Sequence, residues 1–170
     1  GYVQYEISNW ARERELGVGS WELESQSPTP NSQLLIPAKA CHHNLAYWLN
    51  ADYLACGAGA HGHLFPRRYF DVLGIDEYIS RVRSGGSPIA EANELSQRDL
   101  YAETMFMGLR LNAGVSYAHF RDRCGVELDA VYSQTLGELA ELGLLERDDR
   151  GVRLTERGRI LGNQVFERFV

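Results

Sequence analysis

Residues 52–62 read Asp52-Tyr53-Leu54-Ala55-Cys56-Gly57-Ala58-Gly59-Ala60-His61-Gly62. The first five predict a β-strand over 52–56, and the glycines after them predict a loop, GAGAHG, over 57–62. Gly57, Gly59 and Gly62 spell GxGxxG, with Asp76 and Glu77 about twenty residues further on. A dinucleotide fold requires such a loop to open a helix whose N-terminus holds the pyrophosphate. Here Leu64-Phe65-Pro66-Arg67 follows, which starts no helix. What survives is more general. Glycines at the end of a buried strand let backbone N–H groups come close to a ligand, and in a barrel that end is where ligands sit.

Upstream, Tyr2 to Ser8 is rich in β-formers and predicts a strand. Residues 17–38 hold three of the five prolines with many Ser, Gln and Gly, and predict a long loop. A short helix is expected over Asn44–Leu49. Downstream, Arg67–Val72 reads as a third strand and Asp76–Arg83 as a helix stopped by Gly85-Gly86, with Ser87-Pro88 opening a connector.

The second half is more regular. Ser96-Gln97-Arg98-Asp99 resembles a capping box with Asp in place of Glu, opening a helix to about Leu111 that Asn112-Ala113-Gly114 ends. Ser116 caps a short helix to Arg123, closed by Gly125. Leu128, Val131, Tyr132, Leu136, Leu139 and Leu142 recur at helical spacing up to Gly143. Leu144–Arg147 and Val152–Leu154 flank a hairpin turn at Asp148-Asp149-Arg150-Gly151. Thr155 caps a last helix carrying Ile160, Leu161, Val165, Phe166 and Phe169. Helix, helix, helix, two-stranded wing, helix is a winged-helix pattern.

The composition is that of an ordinary globular chain: 170 residues, 44% hydrophobic and 24% charged. No run approaches the roughly 20 apolar residues of a membrane span. The formal charge is −6, against general nucleic-acid binding, whose first requirement is phosphate neutralisation. From Gln97 onward there are 10 Arg and 12 Asp plus Glu, and the candidate reading helix, Glu127–Leu142, has acidic residues and no Arg or Lys. A phosphate backbone repels such a helix. Cys41, Cys56 and Cys124 form no CxxC, so no disulfide scaffold is indicated, and a reducing, cytoplasmic compartment is expected. The chain opens Gly1-Tyr2-Val3 directly into a strand, which reads as the back part of a longer protein.

Histidine is concentrated: His42, His43, His61 and His63 fall within 22 residues, beside Cys41 and Cys56. Imidazole and thiolate are ligands for zinc, iron and haem. The spacing matches no standard zinc pattern, and the absence of CxxCH gives no covalent haem site. For each histidine a surface or hydrogen-bonded role stands beside the ligand role.

YEISNWA at 5–11, HNLAYW at 43–48 and DYLACGAGAHG at 52–62 resemble the HemW group of radical S-adenosylmethionine proteins, relatives of oxygen-independent coproporphyrinogen III oxidase. ETMFMGLRLNAGVSYAHFRDRCG at 103–125 and LTERGRILGNQVFERFV at 154–170 resemble that family's C-terminal domain. The resemblance implies an α+β chain. Residues 1–94 would be the closing elements of a partial (β/α) barrel with a loop inserted at about 17–40, and 95–170 a winged-helix-like C-terminal domain. It implies S-adenosylmethionine and a [4Fe–4S] cluster in the full-length parent, whose N-terminal barrel half would carry the CxxxCxxC motif. This chain has no such motif, so radical chemistry is not expected of it alone.

Within the family, HNxxYW marks the haem-binding, haem-delivering members. His43-Asn44-Leu45-Ala46-Tyr47-Trp48 matches it in full. The resemblance makes His43 the candidate haem ligand, with Asn44, Tyr47 and Trp48 in the haem pocket; a helix-capping or core role for His43 is the alternative. Gly57, Gly59, Ala60 and His61 would line the S-adenosylmethionine side of the barrel mouth. Glu6, Ser8 and Asn9 would face the same mouth or orient its loops. Haem or porphyrin and a haem-accepting protein are the implied partners. A coproporphyrinogen oxidase fragment and a non-catalytic winged-helix adaptor or DNA-binding module are the rival readings.

Overall fold

The computed structural model describes residues 1–12, 37 and 39–170, so the loop expected over 17–38 lies, Pro37 apart, outside the described residues. The element order is β1 (Tyr2–Gln4), β2 (Trp10–Arg12), α1 (His42–Trp48), β3 (His61–Leu64), β4 (Arg67–Asp71), α2 (Ile75–Arg83), β5 (Ile89–Glu94), α3 (Gln97–Gly108), β6 (Val115–Ser116), α4 (Tyr117–Cys124), α5 (Leu128–Glu141), β7 (Leu145–Arg147), β8 (Gly151–Leu154), α6 (Glu156–Ile160) and α7 (Gly162–Phe166). Among the described residues three small sheets form: β1-β2, β3-β4-β5 and β6-β8-β7. Each of these pairings is antiparallel.

Four expectations need correction. The strand predicted over 2–8 is instead a hairpin: β1 turns back at 5–9 and pairs with β2, Val3 opposite Ala11. The strand predicted over 52–56 is reduced to one bridge, Tyr53 opposite His63. Short apolar runs do not separate strand from packed coil by periodicity alone. The predicted loop over 57–62 ends early, because His61 and Gly62 already belong to β3. The connector after Pro88 holds a full strand, β5, whose six residues are all exposed and so carry no apolar alternation to reveal it.

The C-terminal elements follow their signals closely. The capping box forms in both directions: Asp99 N–H donates to Ser96 Oγ and Ser96 N–H to Asp99 Oδ2, each at 3.2 Å. Ser116 caps α4 at His119 N–H, and Thr155 caps α6 at Gly158 N–H. Gly125 and Gly143 hold left-handed φ of 75° and 67° at the helix ends expected of them, whereas α3 stops already at Gly108 and Gly114, with φ 70°, sits in the turn before β6. The last helix is broken, however, at Leu161 into α6 and α7, and α5 kinks at Tyr132. The leucine ladder is only partly inside: Leu128, Leu136 and Leu139 are buried, while Val131 and Leu142 face solvent.

The main core joins these helices to the β6-β8-β7 sheet through Met105, Leu109, Phe120, Leu128, Leu136, Val152 and Val165. A second core gathers Tyr5, Ala11, Ala40 and Leu111, with Leu45, Trp48 and Leu49 packed on it. It ties the N-terminal hairpin and α1 to the end of α3. Backbone bonds reinforce the seam, from Ile7 N–H to Arg110 O and from Asn112 N–H to Tyr5 O. Burial of this kind stabilises by roughly 25 cal/mol per Å² of apolar surface.

Candidate functional site

Helix α1 carries HNLAYW, and its two sides have different fates. Its end is built by Asn50, which takes φ +49°. Asn50 N–H donates to Tyr47 O at 2.9 Å and Ala51 N–H to Ala46 O at 2.8 Å. This is the paired closure that a left-handed residue gives a helix C-terminus, and asparagine is the usual choice after glycine. Leu45, Trp48 and Leu49 point into the second core. One face of the Trp48 ring is covered by the Arg110 guanidinium at 5.0 Å, which also lies over Phe166 at 5.2 Å. His43 and Tyr47, one turn apart, share the other side. His43 is exposed and meets the Tyr47 ring edge-on at 4.9 Å.

The aromatic row continues beyond the motif. Tyr47 meets Tyr53 at 4.6 Å, and Tyr53 meets His63 at 6.0 Å. His63 is fully buried; its Nδ1 lies 3.2 Å from Ala51 O, and its Nε2 has no partner among the described residues. Burial pushes its pKa down, and the Arg68 and Arg123 charges push the same way. Arg68 is the hub. Its Nε and Nη2 grip the Glu103 carboxylate at 2.6–3.1 Å, its Nη2 also reaches Asn50 Oδ1 at 3.1 Å, and its Nη1 donates to Tyr53 Oη at 3.2 Å. One guanidinium thus fixes the end of α1, the Tyr53 ring and helix α3 together. Sequence reading missed Arg68, Tyr53 and Glu103, because their partners are 15 and 35 residues away.

Beside this hub lies a cleft of about 360 Å³ lined by Tyr53, His61, Gly62, Arg68, Tyr69, Phe70 and Asn93. Gly62 explains its shape. Gly62 faces Tyr69 across the β3–β4 ladder, and a Cβ there would fall 2.5 Å from the Tyr69 Cε1 and Oη atoms. The third glycine of GxGxxG therefore admits a tyrosine ring, not a phosphate. Gly57 and Gly59 hold φ of 121° and 70° in the preceding turn, where Gly59 N–H is bonded to Val72 O and Ala60 N–H to Gly57 O. His61 is exposed on the rim, its ring 5.5 Å from Phe70.

The remaining candidates sit elsewhere. Glu6 is fully buried, and its carboxylate accepts from Ser8 N–H at 3.1 Å, Ser8 Oγ at 3.2 Å and the Asn9 amide. The three residues close a knot within the β1–β2 turn. Cys41 and Cys56 are exposed and Cys124 is buried. Among the described residues no group of three His, Cys, Asp or Glu is placed to hold a metal ion, and no helix is long and apolar enough to cross a membrane. In the β7–β8 hairpin, Arg147 is paired with Asp129, and Arg153 with Glu146 and Asp148. The pairing holds the Asp148 carboxyl down at about 2, with backbone N–H groups of Arg150 and Gly151 adding to it.

Known proteins share this architecture. Residues 95–161 match the HemN C-terminal domain. Among solved structures the fold is similar to that of coproporphyrinogen III oxidase (HemN) from Escherichia coli, a radical SAM enzyme, with a TM-score of 0.54 at 20% identity, covering 70% of this chain and 28% of that one. The fold class is therefore the mixed α/β arrangement of HemN-type proteins. Within it the chain is HemW-like. It is 36% identical to the heme chaperone HemW of Bacillus subtilis and 29% identical to that of Lactococcus lactis, in each case over 100% of this chain and 38% of the relative. The chain thus spans about two fifths of the length of these curated relatives.

Proposed function

We propose that this chain forms the haem-receiving part of a HemW-type chaperone. The observation that carries the reading is the division of α1. Trp48 is locked inward under Arg110, while His43 stands free in solvent with Tyr47 against its edge. A neutral imidazole can ligate haem iron, and a tyrosine ring beside it can cover the apolar face of the macrocycle. In this reading His43 is the ligand, Tyr47 a wall, and Asn44 and Trp48 hold the helix that presents them. Haem is cargo, passed on to an accepting protein.

The same resemblance supports S-adenosylmethionine and a [4Fe–4S] cluster in a full-length parent. The three cysteines do not fit the cluster: one is buried, and none joins a ligand group among the described residues. The turn at Gly57, Gly59, Ala60 and His61 fits a wall for S-adenosylmethionine by shape more than by donors, since the Gly59 and Ala60 N–H groups already have partners. We assign residues 1–94 to the closing part of a partial (β/α) barrel and 95–170 to a winged-helix-like domain in which β7–β8 is the wing. The paired wing arginines favour protein docking over nucleic acid for that domain. The cytoplasm is the proposed compartment.

Haem titration tests the reading. The chain is expected to shift the haem Soret band, and His43→Ala to weaken that shift. An identical spectrum in the variant removes His43 as the ligand.

A further inference from the structure

The cleft beside Arg68 has more donors than acceptors. Arg68 uses one Nη1 hydrogen on Tyr53, and the other has no acceptor among the described residues. Tyr53 Oη accepts in that bond, and its own hydrogen finds no acceptor among the described residues. Tyr69, the next residue on β4, turns to the opposite face of the sheet, where its Oη accepts from Ala55 N–H at 3.1 Å. His61 adds an exposed ring at the rim. The nearby carboxylates are already engaged: Glu103 by Arg68, and Glu91 by the Asn93 amide at 2.7 Å. The Tyr53 hydroxyl and an Arg68 guanidinium N–H, both on residues that line about 360 Å³, describe a site for an oxyanion. Tyr53 links the cleft to α1, because it lines the cleft and its ring meets that of Tyr47 at 4.6 Å.

We propose that this cleft is a carboxylate subsite, which takes an acidic side chain on the edge of a flat ligand lying along the His43–Tyr47 face. The proposal rests on the haem reading above. Arg68 and the Tyr53 hydroxyl donate to the carboxylate, while the Tyr47 and Tyr53 rings border the apolar plane. Such a subsite fixes the rotation of the macrocycle about the His43 axis and distinguishes a carboxylated tetrapyrrole from an uncharged one. The carboxylate of S-adenosylmethionine has the same chemistry and is the competing source.

The test compares haem with haem dimethyl ester, followed by the Soret shift of the wild-type chain and of Tyr53→Phe. The variant keeps the ring that meets Tyr47 and loses one donor. Wild type is expected to bind the acid about tenfold more tightly than the ester, as a hydrogen bond to a charged group allows at a part-exposed site. In Tyr53→Phe that ratio narrows. Equal affinity for acid and ester in the wild type overturns the subsite and leaves the haem reading standing. No Soret response to either overturns both. Tyr53-dependent binding of S-adenosylmethionine, with no difference between acid and ester, overturns the tetrapyrrole assignment.

Discussion

Replacing Glu103 by Leu removes the carboxylate that Arg68 grips through Nε and Nη2. The two side chains are only 27% and 17% exposed, so the orphaned guanidinium is poorly rehydrated. Breaking a wholly buried pair by removing one partner costs about 3–5 kcal/mol. The partial exposure here lowers that to about 2–3 kcal/mol. Arg68→Met is expected to cost about the same, since it strands Glu103 and also frees Asn50 Oδ1 and Tyr53 Oη. In Arg68→Met/Glu103→Leu no charge is left stranded. Only the two neutral contacts are then lost, at about 1–2 kcal/mol. Either single variant should therefore be less stable than the double, with losses of roughly 5–10 °C in Tm for a chain of this size. Urea unfolding followed by circular dichroism measures all four corners of the cycle. A double variant that loses the sum of the single losses would refute the reasoning, because the pair would then be behaving as two independent, solvated charges.

Two further outcomes follow from particular residues. His63 has its pKa lowered by burial and by Arg68 and Arg123, and His119 has its pKa lowered by burial and by Arg123. The unfolded chain binds these protons first, so stability is complete above about pH 6.5 and falls as the pH drops below it. His63→Gln should flatten that fall in a pH series of urea midpoints, and an unaltered slope would count against the assignment. Gly114 and Gly125 both hold left-handed φ, but a Cβ on Gly114 would overlap the Val152 carbonyl and lie 2.6 Å from Arg153 Cβ, whereas Gly125 faces open space. Gly125→Ala should cost about 1–2 kcal/mol, and Gly114→Ala about 3 kcal/mol or more, with the β6–β8 pairing loosened in amide exchange. Equal losses would show that β6 does not pack on β8 as described.

What the sequence determined by itself was the local punctuation of the chain. The Ser96–Asp99 box, the Ser116 and Thr155 caps and the Gly125 and Gly143 stops are short-range hydrogen-bond and φ constraints, and each acted where it was read. The His43–Trp48 motif was equally visible, because its residues lie on consecutive turns of one helix. Only the tertiary structure decided which of those residues face solvent. Trp48 packs inward with Arg110, 62 positions later, over its ring, and Tyr53 meets Tyr47 with its hydroxyl bonded to Arg68. Gly62 sits in a strand opposite a tyrosine seven residues on, whose ring occupies the space a Cβ would need. Burial and ion pairing depend on neighbours distant in sequence, and no local pattern encodes those neighbours.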